Sequence, residues 1–415
     1  MIYNKKLVLG LIIAAVVVFG GISSYFIITS LIPTQESFNE KIQKLMEEYE
    51  IPSLAAGIII NDSLVWANGF GEQPDLDTVY MIGSITKTFT ATAILQLNES
   101  NLVNLNDDIN KYLPFDVRHP DYPSKNITIR MLLTHTAGLS QNLYWSLEYY
   151  FDNQTIEWIN ENLDLRGDII QWEVHPSLEE FLNGSLTPTG PYYDDYNWPF
   201  QPGTHHSYSN AGYQLLGYLV EQVSNKSMMD YLQENVFGPL NMTSSGSNYT
   251  DFIEKHGIPY EWSNNTNFEY PLYNFYVMGA GNLRSTVPDM AKYIIAHMNQ
   301  GEHDGPQLLN PATLQLMHSE HESLTGVMDG FDVDGYGLGW VLYEQGLQGH
   351  GGATPGFSSN MFIKESLQGD LGVIVMYNRG SALIFDDRLI NNFLPAINNL
   401  LVEEAENLFQ QALSY

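Results

Sequence analysis

From Thr78 to Asn98 the chain carries one charged side chain, Lys87, set among Ile85, Phe89, Ala93, Ile94 and Leu95. A helix over about Ser84 to Leu97 made of such residues is apolar on every side, and a helix of that kind has to be enclosed by the rest of the molecule. A lysine held there loses part of its preference for the charged form, because desolvation lowers its pKa. Ser84 stands three residues earlier, and residues at i and i+3 share a helix face, so hydroxyl and amine can come within hydrogen-bond distance. A serine hydroxyl is a weak nucleophile until a neighbouring base takes its proton, and the helix N-terminus favours negative charge forming near it. Alone, Ser-x-x-Lys is expected about once by chance in a chain this long, and a helix-capping serine reads the same way.

Composition narrows the chemistry. Of 415 residues none is cysteine, which removes a disulfide framework, a thiol nucleophile, Cys-ligated zinc and iron–sulfur clusters. Seventeen bases against 48 acids give a formal net charge of −31, a balance that argues against nucleic-acid and anionic-lipid partners. The N-terminus belongs to a different solvent: Lys5 and Lys6 precede an apolar stretch from Leu7 to Ile32, interrupted by Ser23 and Ser24, with no charge until Glu36. About 26 residues suffice to cross a bilayer roughly 30 Å thick. The expectation is an uncleaved membrane anchor over residues 1–34 with a cytoplasmic N-terminus and the remainder extracytoplasmic; a cleaved signal peptide is the alternative. Glycosylation sequons such as Asn61, Asn126 and Asn264 fit that side, although an unmodified polar surface reads alike.

Periodicity predicts an amphipathic helix from Ser37 to Tyr49, a hairpin of Ala55–Ile60 and Leu64–Asn68, and helices at Ile127–Thr134, Tyr213–Val223, Met228–Val236, Val287–Met298 and Pro311–His318. Strands follow at Tyr336–Tyr343, Met361–Lys364 and Leu371–Tyr377, then a helical region from Asp386. Strands at both ends with helices between them predict an α+β fold, one sheet built from distant segments plus a helical lobe.

Two further groupings raise the weight of Ser84 and Lys87. Tyr208-Ser209-Asn210 offers a phenol and an amide from one loop just before a helix, and His350-Gly351-Gly352-Ala353 lies within the strand-rich part, where two glycines leave room for a substrate backbone to lie against a strand. In this order Ser84-x-x-Lys87, Tyr208-x-Asn210 and His350-x-Gly352 resemble the three motifs of the serine β-lactamase and penicillin-binding protein superfamily, in its class C-like branch of β-lactamase-related esterases and D-aminopeptidases. Leu132–Leu139, Pro202-Gly203-Thr204, Tyr336–Trp340 and Thr354–Ser358 extend the resemblance over roughly Ser37 to Ile397. It implies a β-lactamase/transpeptidase-like fold: an antiparallel sheet flanked by helices (about 35–110 and 270–415) and a mostly helical lobe (about 111–269) forming one catalytic domain over 35–415. It also implies Ser84 as the nucleophile of an acyl-enzyme, Lys87 and Tyr208 sharing the proton with the choice of base open, Asn210 orienting Lys87 or a substrate amide, and an oxyanion hole from the backbone N–H groups of Ser84 and Ala353, with no metal or other cofactor.

The departure from the pattern is His350, where β-lactamases and DD-carboxypeptidases usually carry a lysine. An imidazole with pKa near 6.5 is mostly neutral at pH 7 and grips a substrate carboxylate weakly. That shifts weight toward esters, amides or aminopeptidase-like substrates. Between Gln141 and Phe200 stand eleven acids, one base (Arg166) and four tryptophans; they read either as a wall attracting a substrate amine or as lobe core plus solvated face. His318-Ser319-Glu320-His321 reads as an exposed helix end, Asp332-x-Asp334-Gly335 as a turn, His135 as structural, and of His205 and His206 at most one is expected to line the site. Three functions stand in order: an anchored serine hydrolase acting on a small-molecule or peptide substrate, a β-lactamase or DD-peptidase of the same fold, and a non-catalytic surface binding protein.

Overall fold

The computed structural model describes residues 37–140, 151–162, 173–263, 266–274, 276, 278–365, 369–380 and 386–413. The anchor expected over residues 1–34 lies outside them; among the described residues no helix is long and apolar enough to cross a membrane. The chain divides into two units, Met1–Lys44 and Leu45–Tyr415. The first contributes the opening turns of an amphipathic helix, α1 (Phe38–Tyr49), and all other described elements belong to the second.

Runs of aliphatic residues far apart in sequence form one antiparallel sheet. Its strands are β1 (Ser53–Ile60), β2 (Ser63–Gly71), β3 (Glu322–Ser323), β4 (Val327–Met328), β5 (Phe331–Tyr336), β6 (Val341–Tyr343), β7 (Leu347–Thr354), β8 (Phe357–Lys364) and β9 (Leu371–Tyr377). They lie in the order β2-β1-β9-β8-β7-β6-β5-β3, with β4 paired to β5. The two ends of the fold meet where β1 runs beside β9, Ala56 opposite Val375 and Ile58 opposite Val373. Both strands are buried at every residue, the signature of strands covered on both faces. The β1–β2 hairpin turns at Asn61, whose φ of 54° suits asparagine.

The segment from Thr78 to Asn98 is enclosed as its composition demands. A short 3-10 turn, Gly83–Ile85, leads into α2 (Thr86–Glu99), in which every residue from Thr86 to Leu97 except Gln96 is buried. The buried threonines are hydrogen-bonded, Thr90 to the Gly279 carbonyl at 2.7 Å and Thr88 to that of Ile85 at 2.9 Å. Phe89 stacks on Tyr293 with ring centroids 3.9 Å apart. Helix α3 (Asn210–Ser224) packs against α2, while α4 (Val287–Met298) and α5 (Leu394–Leu413) lie against β1 and β9.

Three features depart from the sequence reading. β7 is a full strand that the periodicity did not mark, and the single strand predicted at Tyr336–Tyr343 is instead the end of β5 and all of β6, joined by a tight turn at Gly339 (φ 84°). Helices at Asn153–Asn162 and Leu178–Leu186, by contrast, lie inside the segment read as the helical lobe. Asp332, Asp334 and Gly335 lie within β5 and do not form a turn.

Candidate active site

The nucleophile candidate sits on a turn pressed against β7. Gly83 has φ 50°, and a Cβ there would lie 2.6 Å from the Ala353 nitrogen; a Cβ on Gly352 would lie 2.0 Å from the Ile82 carbonyl oxygen. Only glycine fits either position, so the serine turn and the Ala353 backbone are in direct contact. The turn is tied down from both sides: Ser359 Oγ donates to the Ile82 carbonyl at 2.9 Å, and the Ile82 N–H donates to the Leu283 carbonyl at 2.9 Å.

Lys87 is fully buried. Its Nζ donates to Ser84 Oγ at 2.9 Å and to the Ala280 carbonyl at 2.7 Å. Burial drives its pKa well below the usual lysine value, since the low-dielectric surroundings penalise the ammonium. The Nζ lies 4.8 Å from the centroid of the Tyr208 ring and 5.8 Å from that of Tyr213. Tyr208, more than a hundred residues beyond Ser84 and Lys87 in sequence, therefore converges on them.

The remaining predicted residues fall around this centre. Ser209 caps α3 by accepting from the Gly212 N–H at 3.2 Å, which makes Asn210 the first residue of the helix. Asn210 is half-buried, and among the described residues no hydrogen bond joins its side chain to Lys87. His350 is buried with its ring 6.3 Å from that of Tyr208. Its Nδ1–H donates to the Gly351 carbonyl at 2.6 Å, and Tyr336 Oη lies 3.4 Å from Nε2 as the available donor. Burial pushes the His350 pKa down to about 3. The imidazole is thus neutral over the physiological range, in the tautomer that carries its proton on Nδ1.

Residues that the motifs did not disclose complete the surroundings. Ala280 holds Lys87 through a backbone oxygen, for which a sequence carries no signal. The phenols of Tyr213 and Tyr336 are buried, and burial raises both pKa values. His205 and His206 diverge as adjacent residues of an extended segment do: His205 stacks on Phe200 (4.7 Å), whereas His206 turns toward His135 (5.6 Å) and Tyr336 (5.3 Å). His318 caps the C-terminal end of the helix Pro311–Met317, with Ser319 and Glu320 exposed beyond it, but is itself half-buried, its Nε2 3.0 Å from His297 Nδ1 and both rings against Trp340.

Several described residues of the acidic, aromatic stretch make structural contacts. Trp158 packs on Tyr270 (4.4 Å) and Trp198 on His119 (5.5 Å). Glu180 closes a capping box with Ser177, Glu179 accepts from Tyr218 Oη at 2.6 Å, and Asp152 accepts from the Thr155 N–H at 2.8 Å. Trp145 and Trp172 lie outside the described residues.

A half-buried serine paired with a buried lysine and facing a tyrosine, at the start of a helix beside an antiparallel sheet, defines a class of serine-dependent acyl-transfer folds, and comparison with known proteins agrees. The chain belongs to the beta-lactamase family, whose family model matches residues 38–391. It is 25% identical over 362 residues to the protein Flp of Staphylococcus aureus (strain N315), covering 85% of this chain and 64% of that protein. Among solved structures it resembles the octameric penicillin-binding protein homologue from Pyrococcus abyssi (TM-score 0.69, 24% identity, 88% of this chain and 77% of that one). It also resembles the D-amino acid amidase from Ochrobactrum anthropi (TM-score 0.65, 19% identity, 90% and 99%). The chain spans less than two thirds of the length of the Flp protein.

Proposed function

We propose that this protein is a serine hydrolase that cleaves amide, peptide or ester bonds through an acyl-enzyme. The observation that carries the reading is the 2.9 Å contact between Ser84 Oγ and the Nζ of a fully buried Lys87. In its neutral form, which burial favours, Lys87 takes the Ser84 proton as Oγ attacks the substrate carbonyl carbon. The backbone N–H groups of Ser84 and Ala353 receive the oxyanion, a contribution that preorganised donors supply without reorganising. The proton passes by way of Tyr208 to the leaving amine or alcohol, and water then attacks the acyl carbon, returning Ser84 Oγ–H.

β7 supplies the substrate platform in this reading. It pairs with β8 along its length but with β6 only at Gln348 and Gly349, so the edge from His350 to Thr354 accepts an extended backbone as an added strand. His350, neutral and hydrogen-bonded on Nδ1, leaves that edge without the cation that would hold a substrate carboxylate. The preferred substrate therefore carries an uncharged group there, an amide or ester, which agrees with the likeness to an amidase. β-Lactam or DD-peptidase turnover is the second reading, supported by family membership.

The proposal includes the organisation expected from sequence: a helical lobe and a sheet lobe forming one catalytic domain, held outside a membrane by the apolar N-terminal segment behind Lys5 and Lys6. The test is hydrolysis of D- and L-phenylalanine amide, short-chain esters, a dipeptide with a free carboxylate and a labelled penicillin by the full-length protein. Faster cleavage of the amides and esters than of the carboxylates supports the reading; preferential acylation by the penicillin replaces it with the second.

A further inference from the structure

His135 is a buried hydrogen-bonding residue, as expected, and two of its partners flank Tyr208. It adopts a left-handed backbone (φ 56°) and is buried. That conformation turns its carbonyl and its side chain toward one segment. The Ser207 N–H donates to the His135 carbonyl at 2.8 Å, and the Ser209 N–H donates to His135 Nδ1 at 3.0 Å. The residue between those two donors is Tyr208, whose ring lies 4.4 Å from the His135 ring at 35°. On the far side of the loop, the Gly203 N–H donates to the Thr136 carbonyl at 2.8 Å. The residues His135 and Thr136 thus hold the whole approach to Tyr208.

We infer that His135 is a positioning residue for Tyr208, gripping the backbone on both sides of it and backing its ring so that the phenol is fixed beside Lys87. This rests on the reading above that Tyr208 carries the proton. Three consequences follow from the geometry. As the acceptor of the Ser209 N–H, Nδ1 must be unprotonated, so the ring carries its proton on Nε2. A protonated ring would lose that acceptor and place a cation near Lys87. An asparagine, which tolerates a left-handed backbone and presents an amide oxygen close to where Nδ1 lies, should replace it; glycine keeps the backbone and the carbonyl contact but deletes the ring.

The experiment compares single-turnover acylation of the full-length protein by a p-nitrophenyl ester in wild type, His135→Gly, His135→Asn, Tyr208→Phe and the double variant His135→Gly/Tyr208→Phe. We expect His135→Gly to slow acylation about 10- to 100-fold, the scale of a misplaced catalytic group, with KM changed less than about threefold. His135→Asn should recover most of the loss, and in the Tyr208→Phe background the glycine substitution should cost nothing further. Wild-type acylation in His135→Gly, or an undiminished penalty in the Tyr208→Phe background, overturns the inference. Wild-type acylation in Tyr208→Phe itself overturns the proton role of Tyr208 and the inference with it, which separates the two failures. Should the glycine variant not fold, 15N shifts of the His135 ring in the wild type decide: the Nε2–H tautomer throughout pH 5 to 9 is expected, and an Nδ1–H tautomer or a titration in that range contradicts it.

Discussion

At the residue scale the site is an arrangement of bases kept uncharged by burial. Lys87 and His350 both lose protons more readily than in water, in each case chiefly because burial disfavours the charged form. If the neutral amine is the working base, kcat/KM rises with pH as Lys87 gives up its proton and levels off well below the ordinary lysine pKa of about 10.4. A pH profile still climbing at pH 10 would contradict this. Lys87→Met should reduce acylation by about 10²- to 10⁴-fold, the span general base catalysis covers. His350→Lys should raise the rate on substrates bearing a carboxylate relative to their amides, measured as a ratio of kcat/KM values; an unchanged ratio removes the specificity argument. Ser84, Lys87, Tyr208 and His350 were legible because their chemistry is carried by side chains at fixed short spacings. Ala280 and the clamp by His135 were not, since one works through a carbonyl and the other through a backbone conformation.

At the element scale the decisive contact is between the serine turn and β7. Two glycines facing each other, Gly83 and Gly352, let backbones approach where any Cβ would collide with Ala353 or Ile82. Gly352→Ala should separate the two, displacing one oxyanion donor and reducing acylation by about 10²- to 10³-fold, the effect of losing one such donor. Unchanged acylation with an unchanged melting temperature would mean that the Ala353 N–H is not part of the hole. α2 and α4 could be read from sequence because an apolar surface at helical spacing is a local signal. β7 could not: Gly349, Gly351 and Gly352 erase the alternation of a strand, and what makes Leu347–Thr354 extended is its ladder to β8. The tryptophans of the acidic stretch were ambiguous for the same reason, since Tyr270, against which Trp158 packs, lies more than a hundred residues away in sequence.

At the scale of the whole molecule, stability is tied to buried groups that resist protonation or must stay paired. His256, His318 and His350 have pKa values pushed down to about 3, 4 and 3 by burial. In the unfolded chain each takes up a proton near pH 6.5. Between these limits the unfolded state binds more protons, so stability present above pH 6.5 is lost on acidification. Most carboxylates titrate below about pH 5, so the fall in denaturation midpoint from pH 7 to 5 reports the histidines; a midpoint constant over that interval would contradict their neutrality. The junction after β9 rests on a buried ion pair between Arg379 and Asp386, the arginine also lying 4.3 Å from the Trp262 ring. Asp386→Ala leaves that cation buried and unpaired and should cost about 3–5 kcal/mol in urea denaturation.

The central claim is that Ser84 becomes acylated. Intact-mass analysis and peptide mapping after rapid quenching with a slowly hydrolysed p-nitrophenyl ester test it most directly. We predict one acyl group per chain, located on the peptide that contains Ser84 and absent from Ser84→Ala. An adduct on another residue, or full turnover by Ser84→Ala, would contradict it.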